Sequence, residues 1–368
     1  MSKLFSSLAI LATAFGSLWS QPVPLLFTDA GAFVHQITVG NGVNETRFRQ
    51  AVSPISLSLP VAMGNLSIQS GYLYIEQRDS TGTRAASGPL DTQVTGEWTI
   101  GRVVLSGYAN IATGMDSLDM AESGLARDMS RSDLDFPIKT FGQGLDFGGA
   151  LTLGHHTENW ALSAGGGYIV RGTYSPDESV SGYDPGNELT LTAGASYASK
   201  GWTIGLDSAG KLIYIDRLEG EALFRNGTQM TARGSLSYSG QTLRIDASVT
   251  EIIRMKNRKI SDGILIYEDR DSNGNDLRAK GKVSLTPFEG LTVFGEAQLK
   301  DIAENSYDAE GPLFLGAARL WSYGGGMSVT LGGTETLIMR VRRGNGWLND
   351  RLDDTETLNA HVAVRLFF

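Results

Sequence analysis

The C-terminal residues of the chain alternate between apolar and polar positions. From Leu358 to Phe368 every second residue is apolar, and Asn359, His361 and Arg365 lie between them. Successive side chains of a β-strand point to opposite faces, so this segment has one apolar face and one polar face. The pattern predicts a strand with an apolar environment on one side and water on the other.

The same alternation recurs from about residue 53 to the C-terminus, in fifteen segments separated by turn residues. Segments of about ten residues with alternating hydrophobicity are typical of transmembrane β-barrels. A soluble β-sandwich or β-solenoid also has alternating strands. Neither of these soluble folds accounts for alternating connector lengths or for aromatic residues at the strand ends.

The connectors alternate between short and long. Short turns are predicted near Gly64 and at residues 100–101, 157–159, 199–201, 239–240, 287–290 and 332–333. The longest connectors are residues 113–143, 174–187, 257–275 and 304–316. Outer-membrane barrels have short periplasmic turns and longer external loops. With the short turns assigned to the periplasm, the last strand runs towards the periplasm.

Aromatic residues gather at the two ends of the predicted strands, as in the girdles of membrane barrels. The outward-facing aromatic residues expected at the periplasmic end are Trp98, Trp160, Tyr197, Trp202, Tyr238 and Phe368. Those expected towards the external end are Tyr72, Tyr74, Tyr168, Trp321 and Tyr323.

With its aromatic last residue, the chain resembles bacterial outer-membrane β-barrels, either porin-like or hydrophobe-channel-like. The resemblance implies a location in the outer membrane of a diderm, Gram-negative-type bacterium, in contact with outer-membrane lipid and lipopolysaccharide. It also implies that the barrel assembly machinery reads the C-terminal strand, with Val364, Leu366 and Phe368 as the assembly signal.

The predicted fold is all-β: a single transmembrane antiparallel β-barrel over residues 21–368. Bacterial single-chain barrels have an even number of strands, so the fifteen segments require one more. Ala32–Val39 is the candidate, which gives sixteen strands. Alternatively, residues 21–63 form an N-terminal plug and the barrel has fourteen strands.

The N-terminus predicts a signal peptide over residues 1–20. Lys3 precedes an apolar run at residues 8–15, and Ser20-Gln21-Pro22 offers a cleavage point. No later stretch reaches the roughly 18 apolar residues of a transmembrane helix. Cysteine is absent from the chain, which fits an oxidising compartment in which no disulfides are used. The net charge of -9 gives no support to nucleic-acid binding.

Basic residues concentrate on the predicted inner face of the C-terminal strands. They are Arg233, Arg244, Arg278, Lys280, Lys282, Lys300, Arg340, Arg342 and Arg365, with Asp246 and Glu296 as the inward acids there. In the N-terminal half, Glu97, Asp146 and Asp207 are expected to face Arg102 and Arg171. Charged rings set ion preference in a pore, so a mild anion preference is expected. The alternative is that these charges pair inside the lumen.

The longest connector, residues 113–143, contains a predicted helical turn at residues 115–122. Leu118, Leu125 and Met129 form an apolar stripe there. In general porins a long loop folds inward and narrows the pore. An exposed acidic loop is the other interpretation of this segment.

Residues 269–276 match the pattern D-x-D-x-N-G-x-D and resemble the first part of an EF-hand calcium loop. Asp269, Asp271, Asn273 and Asn275 are the expected ligands of a structural calcium ion. The twelfth position, Lys280, departs from the glutamate of that motif. The alternative is a solvated Asp/Asn-rich turn.

The favoured function is a porin-like channel for passive or selective diffusion of small solutes. A fatty-acid-type hydrophobe channel is the first alternative, although the Asn-Pro-Ala hatch motif of that family is missing. A non-conducting structural or adhesive surface barrel is the second. An enzyme is not expected, because none of the four histidines lies in a metal or hydrolase motif. No cofactor is expected beyond the calcium ion.

Overall fold

The computed structural model describes residues 27–40, 45–115, 118–311 and 313–367. These residues form one long antiparallel sheet that closes on itself. The first strand, β1 (Phe27–Gly40), pairs with β2 (Glu45–Val61) along one edge and with the last strand, β22 (Asp353–Phe367), along the other. The sheet is therefore closed through its first and last strands. The predicted signal peptide, residues 1–20, lies outside the described residues.

The remaining wall strands pair with their neighbours in chain order. They are β3 (Gly64–Asp79), β4 (Gly82–Pro89), β5 (Thr92–Ile100), β6 (Val103–Ile111), β7 (Asp146–His156), β8 (Trp160–Val170), β10 (Glu188–Ser199), β11 (Trp202–Ile213), β14 (Gln229–Ser239), β15 (Leu243–Arg254), β18 (Asp276–Phe288), β19 (Leu291–Ile302), β20 (Ala318–Leu331) and β21 (Glu335–Leu348). Because β4 and β5 follow each other along the same edge of β3, they form one interrupted strand.

The described residues thus form a closed barrel of sixteen strands, which confirms the predicted fold class and strand number. Ala32–Val39, the candidate for the sixteenth strand, lies within β1. The alternative of fourteen strands with a plug over residues 21–63 is wrong. Residues 27–40 and 45–61 are strands of the wall, because each has neighbours on both sides with which it completes its backbone hydrogen bonds.

The outer face of the barrel is mainly apolar, whereas the inner face is polar except on parts of β1–β4 and β19–β21. Large apolar side chains such as Leu191, Ile204 and Leu206 point outward and are 57%, 58% and 62% exposed. Aromatic side chains lie at the strand ends of this outer face, for example Trp160 and Trp202 at the first residues of β8 and β11. Among the described residues no helix is both long and apolar enough to cross a bilayer.

The two ends of the barrel differ in the length of their connections. Short turns join strands at one end, at residues 62–63, 101–102, 157–159, 200–201, 240–242, 289–290 and 332–334. We call this the short-turn end. At the other, long-loop end, the longest connections are residues 112–145, 171–187, 214–228, 255–275 and 303–317. The hairpin at Lys200–Gly201 has positive φ at both residues, which matches the twist of its strands.

Three of the long connections build a small second sheet above the barrel. Its strands are β9 (Tyr183–Asp184), β12 (Asp216–Leu218), β13 (Glu221–Arg225), β16 (Arg258–Ser261) and β17 (Ile264–Tyr267). A 3-10 turn, Asn349–Arg351, joins β21 to β22.

The longest connection, residues 112–145, folds into the barrel and carries the one α-helix of the described residues, α1 (Met120–Ser130). Asp119 caps this helix, and Glu122 completes a capping box that satisfies backbone N–H groups at its start. The helix therefore begins later than the turn predicted at residues 115–122, of which residues 116–117 lie outside the description. The predicted apolar stripe is buried, so the exposed-loop interpretation is wrong.

The first and last strands are joined by an ion pair as well as by their backbone. Arg365 donates to both carboxylate oxygens of Asp29, at 2.7 and 2.9 Å. We expect Asp29→Asn to lower the free energy of unfolding by about 1 kcal/mol, since the pair is partly exposed. Denaturant unfolding of the refolded barrel in vesicles measures this loss.

The control for this prediction is Asp246→Asn. Asp246 pairs with Arg244 within the same strand, so its ion pair joins no two strands. Equal losses for the two variants would contradict a closing role for the Asp29–Arg365 pair.

Candidate functional site

One side of the lumen is filled by the inward loop. Apolar side chains of this loop pack against the inner face of β1–β4 and β19–β21. The loop contributes Leu118, Leu125, Ala126, Met129, Leu134, Phe136 and Phe141, and the wall contributes Ile37, Phe48, Val52, Leu73, Ile75, Ala86, Ile302, Ala318, Leu320 and Leu348. Full burial of a large apolar side chain contributes about 1.5–3 kcal/mol, so this contact holds the loop firmly. We call this part of the lumen the loop side.

A buried ion pair fixes the loop to the basic wall. The Lys300 side chain is 1% exposed and lies 2.9 Å from the Asp135 carboxylate. It also donates to the backbone carbonyl of Ser132. Burial alone would raise the pKa of Asp135, but the charges of Lys300 and Arg278 outweigh it and hold that pKa well below its usual value. The carboxylate therefore stays ionised and keeps the loop attached.

Polar side chains of the wall hold the loop at two further points. Asp91 accepts hydrogen bonds from the backbone N–H groups of Gly114 and Gln143, at 2.8 and 2.9 Å. Gln50 is fully buried and forms two hydrogen bonds with the backbone of Ile138, at 2.9 and 3.0 Å. Both roots of the loop and its middle are therefore tied to strands.

Opposite the loop, the middle of four strands carries mostly small inward side chains, with Asp207 as the charged exception. The register places on one face Gly148, Ala150, Thr152, Ser163, Gly165, Gly167, Thr190, Thr192, Gly194, Gly205 and Ala209. A Cβ atom at Gly165 would lie 2.6 Å from the Thr152 hydroxyl, so even alanine would crowd this face. We call this surface the small-residue wall. Its small side chains project little into the lumen.

A basic cavity of about 380 Å³ adjoins the small-residue wall. It is lined by Arg233, Lys280, Lys282, Arg340, Arg342, Asp246 and Glu296, together with smaller side chains. Glu296 pairs with Arg340 at 2.5 Å, and Asp246 pairs with Arg244. Because both carboxylates are neutralised by arginines, the remaining charge of the cavity is positive.

Three of these basic groups make no ion pair in the described part of the chain. Lys282 lies 4.0 Å from the centre of the Phe294 ring. Arg342 donates to the Gln298 side chain at 2.8 Å, and its Nε atom has no partner. The Nε atom of Arg233 also lacks one. Such groups present positive charge to the lumen.

A second cavity, of about 470 Å³, lies between the inward loop and β1–β3 towards the short-turn end. Its lining mixes the Asp29–Arg365 pair with His361, Asp91, Gln93 and Asn110. Asp29 and Arg365 are paired with each other, so the cavity is polar but has little net charge. The positive field is therefore confined to the opposite wall.

The structure places the predicted inward residues as follows. Arg278 points inward, but it is buried against Asp276 and lies off the basic cavity. The Arg244 side chain is 64% exposed, near the short-turn end. Asp207 stands opposite Arg233 in the register, whereas Arg102 lies in a turn. The pore-lining role of these residues stays a prediction.

The predicted partner of Asp146 is present, within a larger charge network. Arg171 lies 2.7 Å from Asp146 and also pairs with Glu188, which in turn lies 2.5 Å from Lys211. These groups are buried at the long-loop end of β7–β11. Because their charges cancel, this network holds strand ends together and adds no net field to the lumen.

The four residues of the calcium prediction lie in the connection between β17 and β18. Asp269 pairs with Lys259, Asp271 accepts a bond from the backbone N–H of Asn273, and the Asn273 amide donates to the carbonyl of Met255. These side chains are thus engaged within the loop itself. Calcium binding by Asp269, Asp271, Asn273 and Asn275 stays a prediction.

Several residues of the site were not identified from the sequence. Asp276 and Asp29 follow the same alternation as the predicted basic residues and could have been found from it. The capping box of Asp119 and Glu122 was also readable as an S/T/D-x-x-E pattern. Asp91 and Asp135 lie in irregular segments, where no periodicity gives the direction of a side chain.

The chain was compared with known proteins. No protein-family model matches it, and no curated protein matches it. It is similar to the solved structure of OccK7 (OpdD) of Pseudomonas aeruginosa, with a TM-score of 0.46 and 11% identity over 94% of this chain and 100% of that chain. It is similar to the toluene transporter TodX of Pseudomonas putida, with a TM-score of 0.44 and 12% identity over 94% and 90%.

It is also similar to a porin, with a TM-score of 0.39 and 12% identity over 93% of this chain and 100% of that chain. These identities are low, and the similarity is one of fold alone.

Removal of the charge on Asp135 tests how the loop is attached. Asp135 has a positive φ, which asparagine also tolerates, so Asp135→Asn changes the charge and keeps the backbone. The variant leaves Lys300 buried without its carboxylate, at a cost of about 3 kcal/mol. We expect the loop to detach and trypsin to cut it at Arg131 and Lys139.

Asp133→Asn is the matched control, since Asp133 pairs only with Arg131 within the loop. It should leave the loop as resistant as in the unmodified chain. If trypsin cleaves all three proteins at the same rate, the Asp135–Lys300 pair does not hold the loop.

Lys139, in the inward loop, is expected to change its charge near neutral pH. Burial, together with the nearby charge of Lys300, lowers the pKa of Lys139 to about 7. The side chain is therefore charged below this pH and becomes neutral as the pH rises. We expect any preference for anions to fall between pH 6 and 8, roughly one unit either side of this pKa. The reversal potential under a salt gradient measures it.

The variant Lys139→Met should remove this fall in anion preference, so that its reversal potential stays the same between pH 6 and 8. A fall of unchanged size in Lys139→Met would assign the titration to another group.

Proposed function

We propose that this chain is an outer-membrane pore for small hydrophilic solutes, with a mild preference for anions. The observation that carries the proposal is the division of the lumen. The inward loop fills one side, while the small-residue wall and the basic cavity leave a polar passage on the other. A barrel of this strand number is wide enough to leave an aqueous channel when its lumen is not filled by a plug.

The charge of the passage supports the preference for anions. Arg233, Lys282 and Arg342 make no ion pair in the described part of the chain, and Asp246 and Glu296 are paired with arginines. Asp207, opposite Arg233, offsets part of the positive charge. Charged side chains that line a pore favour ions of opposite sign. The wider lumen carries balanced pairs, so the preference is expected to be mild.

The outer surface supports a location in the outer membrane of a diderm bacterium. A closed barrel satisfies all backbone polar groups of its wall, which hydrocarbon surroundings require. Outer-membrane lipid and lipopolysaccharide are then its neighbours, with the long-loop end outside the cell. Val364 and Leu366 point outward at the end of β22, which suits recognition of this strand by the barrel assembly machinery. Phe368 lies outside the described residues.

A non-conducting surface barrel is the second candidate. The specific observation in its favour is the dry contact between the loop and the wall, in which Leu125, Met129 and Leu134 are at most 1% exposed. A loop so firmly packed could also serve to close the barrel. In that case the long connections and their small sheet would carry the function at the cell surface.

Conductance in planar bilayers under a salt gradient distinguishes the two candidates. An open pore gives steady steps with a reversal potential on the anion side. Removal of two charges in Arg233→Gln/Lys282→Gln should lower the ratio of anion to cation permeability about fourfold at low salt. This follows because two unit charges about 10 Å apart in water interact with about 0.4 kcal/mol, which salt screening reduces to about 0.2 kcal/mol. Each charge then favours the anion and disfavours the cation by about 1.4-fold, which is about twofold in the permeability ratio per charge.

Lys200→Gln/Arg343→Gln is the control for this variant, because it removes two charges that lie outside the lumen. Its permeability ratio should equal that of the unmodified chain. Silence from protein that migrates as a heat-modifiable barrel would end the pore proposal and favour the surface barrel.

A further inference from the structure

Two arginines stand side by side on the outer face of the barrel, near the long-loop end. Arg47 of β2 is directly opposite Arg78 of β3 in the register, and both side chains are exposed. Directly opposed residues of antiparallel strands have Cβ atoms about 4.5–5.5 Å apart, and like charges in such positions are destabilising. This pair therefore requires a compensating charge.

The protein itself supplies no such charge in the described part of the chain. None of its ion pairs or hydrogen bonds includes the guanidinium group of Arg47 or Arg78. Their neighbours in the same row are Thr38 and Thr83, which are neutral. The connection 41–44, which follows β1, contains no charged residue in its sequence.

The nearest carboxylates on this face do not neutralise the pair. Glu76 lies one row below, opposite Arg49, and accepts a hydrogen bond of 2.5 Å from the Tyr74 hydroxyl. Glu45 precedes Arg47 by two residues on the same face and makes no ion pair among the described residues. Arg47 and Arg78 are therefore left to an external partner.

The height of the pair indicates the kind of partner. Fourteen residues lead along β3 from Gly64, at the short-turn end, to Arg78. At a rise of about 3.3 Å per residue and a tilt of about 40°, this is about 35 Å across the membrane, whereas the apolar band of such barrels is about 25 Å tall. Below the pair, Tyr72 faces outward and is 52% exposed, at the level of an aromatic girdle. The arginines thus lie at the level of lipid headgroups.

We propose that Arg47 and Arg78 together bind a phosphate group of a phosphorylated lipid in the leaflet around the long-loop end. Guanidinium groups bind phosphate through paired, charge-assisted hydrogen bonds, and one phosphate between them removes the repulsion. The lipid is preferred to free phosphate because the pair continues an apolar, lipid-facing wall. The inference rests on the proposed membrane location of the barrel and is independent of whether the lumen conducts.

The test measures lipid retained by the full chain. The probe is diphosphorylated lipid A in phosphatidylcholine vesicles, and native mass spectrometry counts lipid A on the barrel after extraction in mild detergent. The unmodified chain should retain it. Arg47→Gln/Arg78→Gln should retain at least about tenfold less, since it removes both guanidinium groups and their charge-assisted hydrogen bonds to phosphate.

Arg319→Gln/Arg343→Gln is the matched control. It also removes two outward arginines near the long-loop end, but these are already paired with Asp301 and Glu356. This variant should retain lipid A like the unmodified chain. All proteins must first migrate as heat-modifiable barrels, which tests membrane insertion separately from lipid binding.

Equal retention by the unmodified chain and Arg47→Gln/Arg78→Gln would overturn the proposal, as would no retention by the unmodified chain. Displacement of lipid A by millimolar inorganic phosphate would overturn the lipid assignment in favour of a free-anion site. Conductance should be the same for the unmodified chain and both double variants. A silent barrel that retains lipid A through this pair would refute the pore and leave the lipid site intact.

Discussion

The structure depends on the pairing of β1 with β22. In hydrocarbon surroundings no water is available for an unpaired N–H or C=O group, so a sheet can lie there only when its two edges meet. The register of this pairing runs from Phe27 opposite Phe367 to Gly40 opposite Asp354. Once the sheet is closed, alternation assigns every second side chain to the outer face and the others to the lumen. The chemistry of the protein is thereby divided between two surfaces.

The lumen is asymmetric because one long connection enters it. Residues 112–145 bury their apolar side chains against the strands from both ends of the chain, and the Asp135–Lys300 pair ties them to the basic wall. The small-residue wall lies on the other side, so space remains where side chains are smallest. Positive charge is concentrated beside this space, where Asp246 and Glu296 are paired with arginines. The width of the passage and the sign of its charge therefore both follow from the position of the inward loop.

The alternation of the sequence predicted the strands of the barrel wall well. It predicted poorly the loop and the ion pairs that lie inside the lumen. Period-two patterns depend only on which face meets lipid, so the strands, the two ends and the inward direction of Arg233 or Arg340 could all be derived from them. The inward loop has no comparable signal beyond the stripe of its helix. Leu134 and Phe136 are buried by contacts with distant strands, and Asp135 meets Lys300 across 165 residues. Which inward charges cancel depends on such contacts, and no local pattern reports them.

The most direct test of this account is the reactivity of single cysteines towards a membrane-impermeant thiol reagent, because the chain contains no cysteine of its own. Thr192→Cys lies on the small-residue wall, and Leu134→Cys lies in the dry contact of the loop, where the leucine is 1% exposed. The account predicts rapid labelling at position 192 and protection at position 134. Labelling at both positions would contradict the inward loop, and protection at both would contradict an aqueous passage.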